Sequence, residues 1–316
     1  MEWDPSRFFR ASGSPTPYAI LVLNQPINEK AFAVLGEHAS YIICADGGAN
    51  RLYDMLRGSS EESQNLPNAI VGDLDSIRPS VREHYEALEV SILEDPDQYS
   101  TDFTKCLEYL NAHAAEIIAS PRRGVSTTEG DSDNTASAST SVLEIVILGG
   151  LGGRVDQAFS QIHHLYMMTQ TQHAIREAHD HGKGQTMDQS QQQTVPPAAG
   201  GNLYLISEES ITFILQTGKN TIYTPATKRA DLKSPLPNTE PEPEPEYFFE
   251  ENIGIIPLSG PASITTHGFE WDVQDWHTEI GGQLSTSNHI RSDTVHVETS
   301  VPVVFTVELA ARLKRK

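Results

Sequence analysis

Between residues 18 and 148, short apolar runs alternate with stretches that have a helical pattern. The five runs are YAILVLN, YIICA, NAIVG, VSIL and EIVIL. Each is nearly continuous in apolar residues, as expected for strands that are covered on both faces. Alternation of such strands with helices is typical of a parallel sheet wrapped by helices. We therefore predict an α/β domain with a mainly parallel sheet and these runs at its centre.

The stretches between the runs predict the helices of this domain. Residues 49–56 and 79–88 have helical patterns, and a third helix follows the fourth run with Ser100 or Thr101 as its N-cap. Its buried stripe is expected at Phe103, Cys106, Leu107 and Leu110. A further stripe after the fifth run consists of Val155, Phe159, Ile162 and Tyr166. We expect this last helix to pack on the sheet and close the domain.

After residue 200 the helical periodicity disappears and short strands separated by turns take over. The runs are LYLI, ITFIL, NTIY, IGIIPL, ASITT, TVHVET and PVVFTVEL. This texture predicts a second, all-β domain that is an antiparallel sandwich or barrel.

Three polar segments interrupt these patterns and are expected to be inserted and mobile. They are residues 120–141, rich in Ser and Thr, residues 171–200, rich in Gln, and residues 228–250, which contain PEPEPE. None has enough apolar surface to offset the entropy of ordering it. The predicted organisation is an N-terminal tail at 1–17, the α/β domain at 18–170, a polar linker at 171–200, and the β domain at 201–316 with a disordered insert at 228–250.

Charge and cysteine content narrow the function classes. The formal net charge of -21 disfavours nucleic acid and anionic membrane surfaces as partners, because both bind cationic faces. The two cysteines are too few for a disulfide framework or a four-thiolate metal site. The first residues lack the pattern of a secretory signal, and no apolar run is long enough to span a bilayer. We expect a cytoplasmic protein.

Four acidic residues fall where the predicted strands end. Asp46 follows the second run, Asp73 and Asp75 follow the third, and Asp102 opens the helix after the fourth. In open parallel sheets, ligands bind outside the carboxyl ends of the strands. Carboxylates gathered there repel one another unless a cation compensates, and Mg²⁺ bridges such groups to substrate phosphates. Each aspartate alone could equally be a cap or a turn former, and Asp75 or Ser76 could be the N-cap of the next helix.

Glycine-rich segments at two of these strand ends are candidates for phosphate binding. Both lead from a strand into a helix, so backbone amides and the positive end of the helix would face a phosphate. The candidate residues are Gly47, Gly48 and Asn50 in the first segment and Gly149, Gly150, Gly152 and Gly153 in the second. Neither segment is a Walker A loop or a GxGxxG dinucleotide fingerprint.

Three charged side chains near these loops are further candidates. Arg154 could pair with phosphate oxygens while Asp156 orients it or contacts the nucleotide, and Lys105 could reach a phosphate from the first turn of its helix. The alternatives are a local ion pair between Arg154 and Asp156 and a solvated lysine.

In the second domain, Trp271 lies in the polar segment THGFEWDV, and a run of small polar residues follows it. An indole there could stack on a flat cationic heterocycle, although a Trp that covers a sandwich edge is the more ordinary interpretation. The polar run consists of Ser285, Thr286, Ser287 and Asn288. On its own it reads as a turn.

Six motifs in this order resemble the thiamine pyrophosphokinase family, in a fungal-type form with inserts. They are ADGGANRLYD, VGDLDSI, DQYSTDFTKCL, GGLGGRVDQ, GFEWDV and LSTSN. The resemblance implies an α/β nucleotide-binding domain, a β-sandwich that binds thiamine, and a homodimer with active sites between subunits. It also implies Mg²⁺-dependent transfer of a pyrophosphoryl group from ATP to the hydroxyl of thiamine.

The resemblance further implies a role for each matched residue. Asp46, Asp73, Asp75 and Asp102 would hold Mg²⁺ and the triphosphate, and Gln98 would contact thiamine. Trp271 of the partner chain would stack on the pyrimidine ring, and the run from Ser285 to Asn288 would complete the vitamin pocket. Arg154, Asp156 and the preceding glycines would line the nucleotide side.

Two other functions remain open from the residues alone. One is a magnesium-dependent phosphohydrolase, or a kinase for a different small alcohol, that uses the same acids. The other is a non-catalytic thiamine or nucleotide sensor in which the acids are structural caps.

Overall fold

The computed structural model describes residues 1–120, 142–182, 198–230 and 246–315. Within these ranges the chain forms two compact units. One is contiguous, Gly13–Ser207, and the other combines Met1–Ser12 with Glu208–Lys316. Most of the predicted inserts at 120–141 and 228–250, and the second half of the predicted linker at 171–200, lie outside the described residues.

The contiguous unit is the predicted α/β domain. The chain first forms a short strand, β1 (Glu2–Trp3), which belongs to the other unit. The α/β strands are β2 (Tyr18–Val22), β3 (Tyr41–Ala45), β4 (Ala69–Gly72), β5 (Ser91–Glu94), β6 (Glu144–Leu148) and β7 (Leu203–Ile206). The helices are α1 (Glu29–Gly36), α2 (Gly48–Leu56), α3 (Pro79–Ala87), α4 (Asp102–Ala112), α5 (Ala114–Ala119) and α6 (Val155–Gly182).

These strands form one parallel sheet in the order β7-β6-β2-β3-β4-β5. Every residue of β2, β4, β6 and β7 is buried, which confirms that the apolar runs are strands covered on both faces. Because all strands are parallel, their carboxyl ends lie along one edge. The loops after β2, β3, β4 and β6 therefore open on the same edge of the sheet.

Two strands differ from the sequence-based expectation. The run VSIL was expected at the centre, but β5 is the edge strand and most of its residues are exposed. The run LYLI was assigned to the second domain, but β7 pairs in parallel with β6 and is fully buried. Its continuous apolar character, like that of the other central strands, is the pattern that fits a doubly covered parallel strand.

Local signals in the chain account for the helix starts. Thr101 accepts a hydrogen bond from the Thr104 N–H at 3.3 Å, so it is the N-cap of α4, one of the two residues predicted. Helix α3 begins at Pro79 after Arg78, so neither Asp75 nor Ser76 is its N-cap. Proline is well suited to the first helical position because that N–H has no partner within the helix.

Helix α6 is longer than expected and faces the sheet with different residues. It runs through Gly182, so the first part of the predicted linker at 171–200 is helical. The predicted buried stripe is not buried, since Val155 is 72% and Phe159 is 64% exposed. The buried positions are instead Leu165, Thr169 and Gln172. An apolar stripe on α6 therefore faces outward from this unit.

The second unit is a mainly antiparallel β-sandwich, as the sequence predicted in outline. Its strands are β1, β8 (Ser210–Leu215), β9 (Gly218–Tyr223), β10 (Thr227–Lys228), β11 (Phe249–Pro257), β12 (Ala262–His267), β13 (Trp276–Thr278), β14 (Ser285–His289), β15 (Thr294–Thr299) and β16 (Val303–Leu309). One sheet has the order β1-β9-β15-β12-β13, and the other has β10-β11-β16-β8 with β14 paired to β11. Trp3 of the first sheet stacks on Phe213 of the second at 5.0 Å.

The first residues of the chain are part of this sandwich. The predicted tail at 1–17 contains β1, which pairs in parallel with β9, and Trp3 is fully buried. The indole N–H of Trp3 donates to Asn220 at 3.1 Å. The strand pairing and this buried, hydrogen-bonded indole together anchor the segment to the sandwich.

Across the described ranges, no helix has both the length and the apolar character required to cross a membrane.

Candidate active site

Three of the four predicted aspartates meet at the carboxyl edge of the parallel sheet. Asp46 follows β3, Asp73 follows β4, and Asp102 is the first residue of α4. One carboxylate oxygen from each lies within 4.8 Å of the others. Oxygen-only ligation by carboxylates at this spacing suits a hard divalent cation such as Mg²⁺, so the donor set fits the predicted metal.

Close approach of the acids depends on a glycine that the sequence analysis did not single out. A Cβ atom at Gly72 would lie 2.7 Å from the Cβ of Asp46 and 2.9 Å from Oδ1 of Asp102. Any side chain there would push the carboxylates apart. The signal in the sequence is the glycine that ends the run NAIVG directly before Asp73.

Burial raises the pKa of two of the three acids. Desolvation raises the pKa of Asp46, although hydrogen bonds from the N–H groups of Ser76 and Ile77 oppose the shift, and the negative charge of Asp102 adds to it. Desolvation also raises the pKa of Asp102, with a further contribution from Asp73, while Lys105 opposes it. Both shifts therefore come first from burial of a charged group and then from repulsion by a neighbouring aspartate.

The predicted vitamin contact and the predicted phosphate lysine both lie beside these acids. The side-chain amide of Gln98 donates to Oδ2 of Asp73 at 3.3 Å, from an exposed loop. Lys105 is buried rather than solvated. Its ammonium group donates to the carbonyl of Asp95 at 2.8 Å and lies 3.6 Å from Oδ1 of Asp102. Lys105 therefore lies buried beside Asp102, and its side chain is not extended toward solvent.

Two other predicted residues make hydrogen bonds with the loop that follows β4. Asp75 is exposed and outside the three-acid cluster, and its carboxylate accepts from the Ser76 hydroxyl at 2.8 Å. Asn50 accepts from the N–H of Arg78 at 3.0 Å and donates to the carbonyl of Ser76 at 2.8 Å. Both side chains shape the loop around the cluster.

The two glycine-rich segments lie where the sequence placed them. Gly47 is the N-cap and Gly48 the first residue of α2. A Cβ atom at Gly48 would lie 2.2 Å from the carbonyl oxygen of Val22, so the helix start packs directly on β2. The second segment, with Gly149, Gly150, Gly152 and Gly153, joins β6 to α6. The starts of α2 and α6 thus border the same edge of the sheet.

Arg154 and Asp156 form an ion pair at the start of α6. The guanidinium Nη2 lies 2.5 Å from Oδ2 of Asp156, and both side chains are exposed. The hydrogen bond from Arg154 lowers the pKa of Asp156. The pair is the alternative foreseen from the sequence, and it is also the arrangement in which Asp156 orients Arg154.

In the β unit, the predicted vitamin residues line one pocket of about 270 Å³. Trp271 is 55% exposed at its rim. The lining residues are Ile264, Thr266, Trp271, Val273, Trp276, Leu284, Ser285, Thr286, Ser287 and Asn288. Sequence reasoning missed Ile264 and Trp276, and it gave no pocket role to Val273 and Leu284, although both lie in the quoted motifs. The signal for Trp276 was a further tryptophan five residues after Trp271. A partly apolar pocket with aromatic walls suits a flat organic ring.

Asn288 lines this pocket and also fixes the backbone of Trp271. Its side-chain oxygen accepts from the Trp271 N–H at 3.1 Å, and its side-chain nitrogen donates to the Trp271 carbonyl at 2.9 Å. Only 7% of Asn288 is exposed. The predicted turn residue is thus the backbone support of the tryptophan.

Sequence models of two domains match the chain. One, described as the catalytic domain of thiamin pyrophosphokinase, covers residues 32–177. The other, described as the vitamin B1 binding domain of thiamin pyrophosphokinase, covers residues 239–304. The first contains the acid cluster, and the second contains Trp271 and the pocket.

The similarity to known proteins extends over nearly the whole chain. Thiamine pyrophosphokinase 1 of Oryza sativa is 27% identical, with 96% of each chain covered. The Saccharomyces cerevisiae thiamine pyrophosphokinase is 26% identical over 92% of this chain and 85% of its own. The solved structure of thiamin pyrophosphokinase from Candida albicans superposes with a TM-score of 0.68 at 26% identity, covering 98% of this chain and 93% of that one. The chain therefore belongs to the thiamin pyrophosphokinase family.

Proposed function

We propose that this protein transfers the pyrophosphoryl group of ATP to the hydroxyl group of thiamine, giving thiamine diphosphate and AMP. The observation that carries the proposal is the cluster of Asp46, Asp73 and Asp102 in a chain that both family domains match. A sensor would not need three carboxylates this close together, because burial raises the pKa of two of them and the charge of a neighbouring aspartate adds to each shift.

The reaction joins the hydroxyl oxygen of thiamine to the β-phosphorus of ATP and breaks the bond between that phosphorus and the oxygen bridging to the α-phosphate. Mg²⁺ held by Asp46, Asp73 and Asp102 would neutralise charge on the phosphate oxygens. The protein's own groups mainly position the reactants, as in other phosphoryl transfers.

Each region of the chain has a defined task in this proposal. The helix starts at Gly47–Gly48 and after Gly153 offer backbone N–H groups to the nucleotide phosphates, and Arg154, oriented by Asp156, adds a guanidinium. Gln98 holds thiamine next to Asp73. The hydroxyl proton passes to Asp73 or Asp102, and burial, which raises the pKa of Asp102, strengthens that carboxylate as a base.

The pocket of the β unit binds the ring system of the vitamin in this proposal. Thiamine carries a positive charge on a flat aromatic system, and the face of an indole attracts such a cation. Trp271 is exposed and lies at the rim of the pocket, which leaves its ring available for stacking. The small polar residues Ser285, Thr286 and Ser287 line the same pocket.

We also infer that the active form is a homodimer with its sites between subunits, located in the cytoplasm. The outward apolar side chains of α6, Val155, Phe159 and Met167, support a partner on that face. Both cysteines are free buried thiols, which fits a reducing compartment.

The test is release of AMP from ATP and Mg²⁺ by the purified protein, with and without thiamine. We expect AMP only when thiamine is present, and Asp73→Asn should lower turnover about 10²- to 10³-fold without loss of the folded state. Glu83→Gln, an exposed carboxylate on α3 of the same unit, is the matched control and should retain full activity.

Other results would favour the alternatives. Inorganic phosphate released without thiamine would indicate a phosphohydrolase. AMP release that follows a different alcohol and is indifferent to Trp271→Ala would indicate a kinase for that alcohol. Thiamine binding with no turnover would indicate a sensor.

A further inference from the structure

Backbone hydrogen bonds attach residues 268–270, which directly precede Trp271, to residues 289–291 at the end of β14. The N–H of Glu270 donates to the carbonyl of His289 at 2.9 Å, and the N–H of Arg291 donates to the carbonyl of Gly268 at 2.9 Å. Phe269 and Ile290 form an isolated bridge between these contacts. Together with Asn288, these bonds fix the backbone of Trp271 but do not themselves restrain its indole ring.

The indole itself is in contact with an imidazole. The ring centroids of Trp271 and His289 lie 5.0 Å apart, with 46° between the ring planes. The indole is 55% exposed, so little else restrains its rotation about the side-chain bonds. His289 is therefore the aromatic neighbour that defines the orientation of the indole.

His289 is held in turn by a network of charged side chains. Its Nδ1 donates to a carboxylate oxygen of Glu270 at 2.6 Å. Arg291 pairs with the same carboxylate, and its other terminal nitrogen lies 2.6 Å from Oε2 of Glu251 on β11. All four side chains are only partly exposed, from 22% to 36%. This network of side chains connects β11 of the sandwich to the exposed indole of Trp271.

The formal charges of this network also suit the proposed ligand. Glu251 and Glu270 contribute two carboxylates to this network against the single guanidinium of Arg291, so its acidic side chains are in excess. A cationic ligand at the nearby pocket is attracted by such an excess. The same carboxylates therefore hold the imidazole and favour a positive ring beside the indole.

We propose that His289 is a positioning residue that fixes the indole of Trp271 for the ring system of thiamine, and that Glu270 and Arg291 hold His289 in place. The inference rests on the proposed function, because it takes thiamine as the ligand of the pocket. An indole already held in its binding orientation loses less rotational freedom when the ligand stacks on it. His289 acts through Trp271 and does not contact the reacting atoms.

The decisive variants are His289→Ala and His289→Phe. The alanine variant should raise the KM for thiamine about five- to tenfold, with kcat and the KM for ATP unchanged, because only preorganisation is lost. The phenylalanine variant keeps a ring beside the indole but loses the hydrogen bond to Glu270, so it should recover only part of the loss in KM. His296→Ala, an exposed histidine on β15 of the same unit, is the matched control and should change neither constant.

A second variant keeps the proposal testable if His289→Ala does not fold. Glu270→Gln keeps the size of the side chain but removes the charge that holds the imidazole. It should raise the KM for thiamine in the same direction, with kcat unchanged. Quenching of tryptophan fluorescence by thiamine provides a reading of binding that does not depend on turnover.

The outcomes separate this inference from the proposed function. If Trp271→Ala raises the KM for thiamine while His289→Ala and Glu270→Gln leave it unchanged, the positioning role is wrong and the proposed function stands. If thiamine-dependent AMP release occurs but Trp271→Ala has no effect, the pocket is not the vitamin site and the inference fails. If the wild-type protein releases no AMP with thiamine, the proposed function fails and the inference fails with it.

Discussion

Asp46 has a structural and a chemical role at once. Its two carboxylate oxygens accept the N–H groups of Ser76 and Ile77, each at 2.9 Å, and the same carboxylate lies in the acid cluster. Its backbone φ of +38° is uncommon for a residue with a side chain. A substitution at Asp46 would therefore disturb the loop as well as the chemistry. Asp73, which accepts from the Asp75 N–H at 3.3 Å, is the cleaner position for a test of catalysis.

The raised pKa values of Asp46 and Asp102 predict how stability depends on pH. Burial places each folded-state pKa above the unfolded value of about 3.9, so the folded state holds these protons more tightly. Their contribution to stability is therefore greatest below that value and is lost as pH rises through the folded pKa. Mg²⁺ should remove this penalty and raise Tm at pH 7.5 by about 2–4 °C per kcal/mol of binding energy, but much less at acid pH.

Thermal unfolding with Mg²⁺ or with a chelator, at several pH values, measures this effect. Asp73→Asn should shrink the Mg²⁺-induced rise in Tm because one ligand is removed. An equal rise at all pH values, unchanged in the variant, would show that the cation binds elsewhere.

Single residues also mark where sequence reasoning stops. The meeting of the three aspartates could be predicted, because the carboxyl ends of parallel strands share an edge. The burial of Lys105 and the engagement of Asn50 by Arg78 could not, since they depend on how side chains pack between elements that are distant in sequence. The position of a residue at a strand end could therefore be predicted better than its side-chain contacts.

At the scale of elements, the two neighbouring glycines at the start of α2 should respond differently to alanine. A Cβ atom at Gly48 would meet the backbone oxygen of Val22 at 2.2 Å, and neither strand nor helix can move aside easily. We expect Gly48→Ala to lower the free energy of unfolding by about 1–3 kcal/mol or more. Urea unfolding monitored by circular dichroism measures the change.

Gly47→Ala is the matched control for that experiment. Its Cβ atom would meet the side-chain nitrogen of Asn24 at 2.3 Å, and a surface side chain can rotate away. The cost should be the exposed hydrogen bond between Asn24 and Arg51, about 0.5–1.5 kcal/mol. Equal losses in both variants would contradict the packing argument.

The elements themselves were largely predictable from periodicity. Five apolar runs became parallel strands, and the change of texture late in the chain marked the sandwich. The boundary between units was misplaced, because the chain enters β7 after a polar stretch that looked like a linker. The prediction of which side of α6 is buried was also wrong. A regular apolar stripe gives the same sequence pattern whether it packs on the sheet or on another molecule.

At the scale of the whole molecule, the outward stripe of α6 predicts the oligomeric state. Phe159→Asp places a charge in that apolar surface and should convert a dimer to a monomer in sedimentation or light-scattering measurements. Phe159→Leu keeps the apolar character and is the control. A wild-type monomer at micromolar concentration, or a dimer unaffected by the charge, would contradict the proposed interface.

Mixed dimers would show whether two chains build one site. Co-expression of Asp73→Asn chains with Trp271→Ala chains should restore about a quarter of wild-type activity if Asp73 and Trp271 of one site come from different chains, because random pairing gives one intact site in each hybrid. No recovery would place both residues of a site on the same chain.

The sandwich is built from both ends of the chain, and this has a consequence for its synthesis. Trp3 is 217 residues away from Asn220, to which it is hydrogen-bonded. A ribosome that adds about 5–20 residues per second needs on the order of 10–40 s to deliver that partner, while the contiguous α/β unit can already fold. During this interval Trp3, Phe8 and Phe9, all buried in the finished protein, have no native partners from the sandwich. The nascent chain therefore exposes this aromatic segment until the strands of the sandwich are made, which makes the segment a natural point of contact for a chaperone.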